Sequence, residues 1–247
     1  VHLILIGGAA SLLAGLATGI GAAAIFLVRN LSDKLLDAAL GFAAGIMLAA
    51  TSFSLIMPAI QAGGVVKTVV GILLGALFLI YAERYIPHIH YVAGLKGGSA
   101  HLQRLSLFIL AVTIHNFPEG LAVGVGFGGG NLRQGAVLAM GIGLQNIPEG
   151  LAVAFLLVRE KVTRAKAFLV ALLTGLVEPV GGLLGISVVS LGKALLPYGI
   201  AFAAGAMLFV ISEEIIPETH SRGNARLATI GLILGFVIMM ILDTALG

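Results

Sequence analysis

Residues 41–54 read GFAAGIMLAATSFS and residues 201–214 read AFAAGAMLFVISEE, one pattern repeated in register 160 positions later. Both stretches are apolar and rich in small residues, which suits helices that pack closely in lipid, where water does not drive apolar surfaces together. The two copies fall on the second and seventh predicted helices, five steps apart in order. That number is odd, so the copies run in opposite directions through a membrane. An inverted repeat of this kind marks transporters that bind cargo near the bilayer midplane, at the repeat interface. The competing explanation is that small residues recur wherever helices pack tightly.

Composition carries the same message along the whole chain. Of 247 residues, 59% are hydrophobic and 10% charged, with a mean hydropathy of +1.12. A soluble domain carries roughly 25% charged residues, so this chain is built for lipid. Spanning helices take about 20 residues each. The spacing predicts eight, over residues 3–28, 35–60, 65–86, 103–127, 134–158, 166–190, 197–219 and 226–246. The fold class is all-α: one polytopic transmembrane domain over 1–247, with helices 1–3 and 6–8 as inverted repeats and helices 4 and 5 central. No cleavable signal peptide is expected at Val1, because the opening apolar run is as long as a full span. Cysteine is absent, which excludes disulfides and thiolate metal sites. The basic residues form no patch interleaved with aromatics, so no nucleic-acid partner is expected.

Eleven of the fourteen basic residues fall in the odd-numbered connections, while the even ones hold only Lys67, Arg133 and Lys193. The positive-inside rule then puts the odd connections in the cytoplasm and both termini outside. The connection over 87–102 is cytoplasmic on this reading and carries His88, His90 and His101. It is either a solvated loop or a weak metal-collecting one. Asp33 and Asp37 lie near a cytoplasmic helix start, where the helix dipole and solvent suffice to explain them.

Seven of the eleven acids fall inside predicted spans: Glu119, Glu149, Glu178, Glu213, Glu214, Glu218 and Asp243. A carboxylate at the bilayer centre costs at least about 2.5 to 3.5 kcal/mol and is normally turned inward and partnered. With no Lys or Arg at that depth, its partner is a proton, a hydrogen-bond donor or a metal cation. Residues 115–123, HNFPEGLAV, and 145–153, QNIPEGLAV, are near copies 30 positions apart on antiparallel spans. Within each, the polar residues stand at i, i+3 and i+4 and share one helix face. Glu178-Pro179 lies at a similar depth in the next helix. Pro118, Pro148 and Pro179 lack an N–H and release the carbonyls of Ile114, Leu144 and Gly175.

The candidate ligands are therefore His115, Asn116, Glu119, Gln145, Asn146, Glu149 and Glu178. This mixture of nitrogen and oxygen suits Zn²⁺, Fe²⁺, Mn²⁺ or Co²⁺ better than soft Cu⁺. One His and no thiolate argue against a tight structural zinc site and suit reversible binding.

These residues resemble the ZIP (Zrt/Irt-like) family of divalent metal transporters, above all its bacterial GufA-like branch. The likeness covers essentially the whole chain, carried by the paired HNFPEG and QNIPEG motifs with Glu178-Pro179 in support. It implies import of a divalent metal, zinc first, with iron, manganese, cobalt or cadmium as further cargo, across a cell (inner) membrane. It further implies a mid-membrane site of His115, Glu119, Gln145, Glu149 and Glu178, and a neighbouring one of Asn116, Asn146, Glu149 and Glu178. Asn146 stands where relatives often have Asp, which puts the second site in doubt. The family points to Met47, Ser54 and Asp243 at the outer entrance, and to His88, His90, Glu213, Glu214 and His220 at the inner exit. Glu213 replaces a His of some relatives. An elevator-like motion of one helix block against another is part of the resemblance.

Two other functions compete. An intramembrane metal-dependent hydrolase would need an open metal position and a distinct general base, and H-E-x-x-H is missing. An ion channel can share this composition. No nucleotide-binding loop is present, so a carrier would run on the metal gradient, the membrane potential or a coupled ion. The metal is substrate and no prosthetic group is expected. Lipid is the other partner, and the glycines at 71–75 and 231–235 serve either packing within the chain or a homodimer seam.

Overall fold

The computed structural model describes residues 2–28, 31–85, 98–192 and 194–246, with the side chains of 83–85, 98–108 and 111 outside the description. Among the described residues the ordered elements are all helical. They are α1 His2–Ala23, α2 Asp33–Ala49, α3 Met57–Tyr85, α4 Gly98–Gly128, α5 Leu132–Arg159, α6 Arg164–Gly175, α7 Glu178–Ser190, α8 Leu196–Val210, α9 Ile216–His220 and α10 Ala225–Leu246. A 3-10 turn, Ala24–Phe26, follows α1, and π-helical segments Ala50–Ile56 and Ile211–Ile215 join α2 to α3 and α8 to α9. Among the described residues, six segments are long and apolar enough to cross a bilayer. Large apolar side chains such as Leu13, Ile20, Val66, Leu74, Leu173 and Leu234 face outward. Small and polar residues occupy much of the interior, as lipid-embedded helices require.

One of the six segments, Asp33–Ala82, has 50 residues, far more than a single crossing of a hydrocarbon core about 30 Å thick needs. The predicted loop between 60 and 65 is in fact a single break. Gly64 has φ 79° and ψ 169°, a conformation open to glycine because it lacks a Cβ. Thr51 Oγ1 lies 3.9 Å from Met207 Sδ, and Gly63 packs on Pro197, so the chain first runs back along α8 towards its start. Beyond Gly64 it returns beside α8, with Gly71 against Tyr198 and Ala201 and Gly75 against Phe202.

The sixth predicted helix is split as well. Leu176 and Val177 close α6 with turns to Leu172 and Thr174, and Val180 and Gly181 restart the helix from the Val177 carbonyl. Pro179 occupies the first turn of α7, where its missing N–H costs nothing.

The glycines show how tightly the helices meet. Gly45 abuts the Leu232 carbonyl, and Gly205 abuts that of Ile72; Gly235 meets the Phe42 carbonyl, and Gly75 that of Phe202. Each contact recurs with both partners displaced by 160 positions. Gly71, Gly75, Gly231 and Gly235 are thus occupied by packing within the chain, which removes the dimer-seam reading of those faces.

Backbone-to-backbone contacts of this kind also divide the helices. Gly21 on Ile147, Gly150 on Thr18 and Gly15 on Gly175 bind α1 to α5 and α6, and Gly120 on Glu178 and Gly124 on Gly182 bind α4 to α7, which follows α6 in the chain; these five helices form one group. The seams above pair α2 with α10 and α3 with α8, and the π segment between α2 and α3 joins these pairs into another. Where glycines of one group meet the other they touch side chains, as Gly141 does at Met239 and Gly199 at Val189.

Asp37 departs from its expected solvated setting. It is fully buried, accepting from Arg222 Nη1 at 2.6 Å and from Asn224 Nδ2 at 2.9 Å, because the α9–α10 loop folds over the start of α2. Asp33 is half exposed and pairs with Arg159 Nη1 at 2.5 Å.

Candidate metal site

Both PEG motifs sit inside unbroken helices, Pro118 within α4 and Pro148 within α5. Helical spacing puts His115, Asn116 and Glu119 on one face of α4 and Gln145, Asn146 and Glu149 on one face of α5. The α6–α7 break delivers Glu178 as the first residue of α7. All seven residues are buried, with Glu119, Gln145, Asn146 and Glu178 at 0% exposure.

The tertiary structure brings them together in pairs. Gln145 Nε2 donates to Glu119 Oε1 at 2.7 Å. Asn146 Nδ2 donates to Glu178 Oε1 at 2.6 Å and to the Ala14 carbonyl at 2.9 Å. Glu149 lies within electrostatic reach of Glu119, Glu178, His115 and Glu214. No three His, Asp or Glu side chains among the described residues stand as a ready-made ligand shell. The acids are instead interleaved with amides.

Buried polar atoms are nearly always partnered, so exceptions need a reason. Among the described residues the buried side-chain atoms lacking a hydrogen-bond partner are Asn116 Nδ2, Glu119 Oε2, Gln145 Oε1, Asn146 Oδ1, Glu149 Oε1 and Glu178 Oε2. They belong to six of the seven predicted ligands, and five of the six atoms are oxygens. Such desolvated oxygens, carried on three helices, suit a divalent cation as a partner.

The seventh ligand, His115, directs Nδ1 to Glu214 Oε2 at 2.9 Å. Glu214 was expected at the inner exit, yet it reaches the central histidine from the second π segment. Glu213 beside it is exposed. His220 is exposed too, with Nδ1 2.8 Å from the Ile216 carbonyl. His88, His90 and most of the 87–102 connection lie outside the described residues. At the expected entrance Ser54 donates to Asp243, while Met47 is wholly buried in the apolar core. Glu218, counted among the intramembrane acids, is half exposed and paired with Arg222.

The part of α1 in the site was missed in the sequence. Ser11 Oγ donates to the Glu178 carbonyl at 2.7 Å and is fully buried, and the Ala14 carbonyl holds Asn146. A lone serine in an apolar helix gave little signal, and a backbone carbonyl gives none.

The ZIP Zinc transporter family model matches residues 95–243. The chain is 46% identical over 248 residues to "Zinc transporter GufA" of Myxococcus xanthus, covering 96% of this chain and 98% of that protein. It is 43% identical to "Zinc transporter ZIPB" of Bordetella bronchiseptica, covering 98% and 81%. It is also 36% identical to "Zinc transporter ZIP11" of Xenopus tropicalis, covering 93% and 94%.

Proposed function

Because the chain belongs to the ZIP family, we propose that it carries zinc or a related divalent ion into the cytoplasm through the buried cluster on α4, α5 and α7. It is a transporter and not an enzyme, and nothing favours the hydrolase reading. The observation that carries the site assignment is the coincidence of the unpartnered buried oxygens with the predicted ligands.

In this reading the chain crosses an inner membrane eight times, with both termini outside. The reversal at Gly64 supports two crossings between Asp33 and Tyr85. The inverted repeat is supported by π segments and glycine seams that recur 160 positions apart, and by the opposed course of Thr51–Gly63 along α8. The ion enters past Ser54 and Asp243 and binds between Glu119, Glu149, Glu178, His115 and the amides. It leaves past Glu214, which is within reach of His115. The α1, α4–α7 group carries the ion and moves against the other group, a motion supported by the side-chain contacts of Gly141 and Gly199 at the boundary. Glycine seams hold α1 to α5 and α6, α4 to α7, α2 to α10 and α3 to α8, whereas side chains at the boundary can change partners.

Zinc uptake into proteoliposomes tests the proposal. Wild-type protein should show saturable uptake, and His115→Ala combined with Glu149→Ala should reduce it at least about 100-fold. Undiminished uptake in that double variant removes the site.

A further inference from the structure

Two neighbouring amides of α5 each hold one oxygen of a carboxylate on a different helix. Gln145 takes Glu119 Oε1, and Asn146 takes Glu178 Oε1. The Ala14 carbonyl accepts from the same Asn146 nitrogen at 2.9 Å. A carbonyl only accepts, so this bond fixes the amide: turned over, Oδ1 would face two acceptors at once. Glu178 is anchored from behind by Ser11, whose hydroxyl donates to its carbonyl at 2.7 Å. Each acid therefore has one oxygen occupied, and the other, Oε2 in both cases, is buried without a partner.

The geometry points to Gln145 and Asn146 as selectivity residues that restrict Glu119 and Glu178 to binding an ion through a single oxygen each. The inference rests on the transport reading above. Its consequence follows from ion size. Ca²⁺ takes about 6–8 oxygens at roughly 2.3–2.6 Å, and bidentate carboxylates help to supply that number. Zn²⁺ takes about four ligands near 2.0–2.2 Å. An oxygen held toward an amide donor is turned from the ion and must give up that hydrogen bond to close around Ca²⁺, whereas the second oxygens satisfy the smaller ion at no such cost. Towards selectivity the two amides act as positioning residues, through the acids they hold.

Zinc uptake into proteoliposomes is measured against rising external Ca²⁺ for wild type, Asn146→Ala and Gln145→Ala. Infrared difference spectra on zinc binding are recorded alongside, because the splitting of the carboxylate stretches separates one-oxygen from two-oxygen coordination. Wild type should give the one-oxygen splitting. Each variant should gain a two-oxygen component, and Ca²⁺ should compete about tenfold better, the fold-change expected for losing one charge-assisted hydrogen bond. A wild-type spectrum with no one-oxygen component overturns the inference. So do variants that slow zinc uptake while Ca²⁺ competition and spectrum stay as in wild type. Both variants are on α5 but release acids on different helices, α4 and α7, and should neither fold, the wild-type spectrum still decides. Wild-type protein that moves no divalent ion overturns the transport reading itself, a separate outcome.

Discussion

His115 Nδ1 lies 2.9 Å from Glu214 Oε2, a contact that joins the cluster on α4 and α5 to the π segment after α8. The two residues belong to different helix groups, and their link is a polar bridge from the buried site to the second group. A π turn shifts side chains relative to an α-helix, and such turns recur at functional sites.

Glu214 thus orients the imidazole as an outer partner orients a metal-binding histidine. Glu214→Gln should lower zinc uptake by about 10-fold or more at equal protein level, since loss of such a partner typically costs 10–100-fold. Uptake equal to wild type would mean that the contact has no part in transport.

Outside the site, Asp37 is fully buried and held by Arg222 and Asn224. Asp37→Ala leaves Asn224 and one nitrogen of Arg222 without their acceptor, while Arg222 keeps its pair with Glu218, and should destabilise by about 1.5–3 kcal/mol, read as a lower Tm in detergent. Asp33→Ala removes a pair whose partners are 40% and 50% exposed and should cost no more than about 1 kcal/mol, less at high salt. Equal losses in the two variants would contradict this ranking.

A methyl at Gly120 would collide with the Glu178 carbonyl, whereas one at Gly192 meets nothing within 4 Å. Gly120→Ala should cost about 1–3 kcal/mol and displace Glu178, impairing uptake as well as stability. Gly192→Ala should leave both unchanged. The comparison of melting curve and uptake for the two variants checks how close α4 and α7 must be.

The absence of cysteine makes orientation directly measurable. Leu191 and Ser221 are exposed at opposite sides in the proposed topology. In intact cells a membrane-impermeant maleimide should label Leu191→Cys, and it should label Ser221→Cys only after permeabilisation. The reverse pattern would invert the assigned direction of the helices.

The buried polar cluster could be read from sequence because lipid makes ionisable residues conspicuous. Glu119, Glu149 and Glu178 stand out in apolar helices, and the PEG motifs fix their spacing. The membrane character and the 160-residue repeat were equally open to reading, since both depend on local composition and register.

What the chain order left open was which partner each side chain meets. The buried state of Asp37, the reach of Glu214 to His115, and the hold of Ser11 and Ala14 on Glu178 and Asn146 connect residues from about 100 to nearly 190 positions apart. Sequence determines which groups are costly to leave in lipid, because that cost belongs to each residue. Only the packed helices decide how the cost is met, because hydrogen bonds depend on distances and directions set by the close approach of glycine-lined backbones.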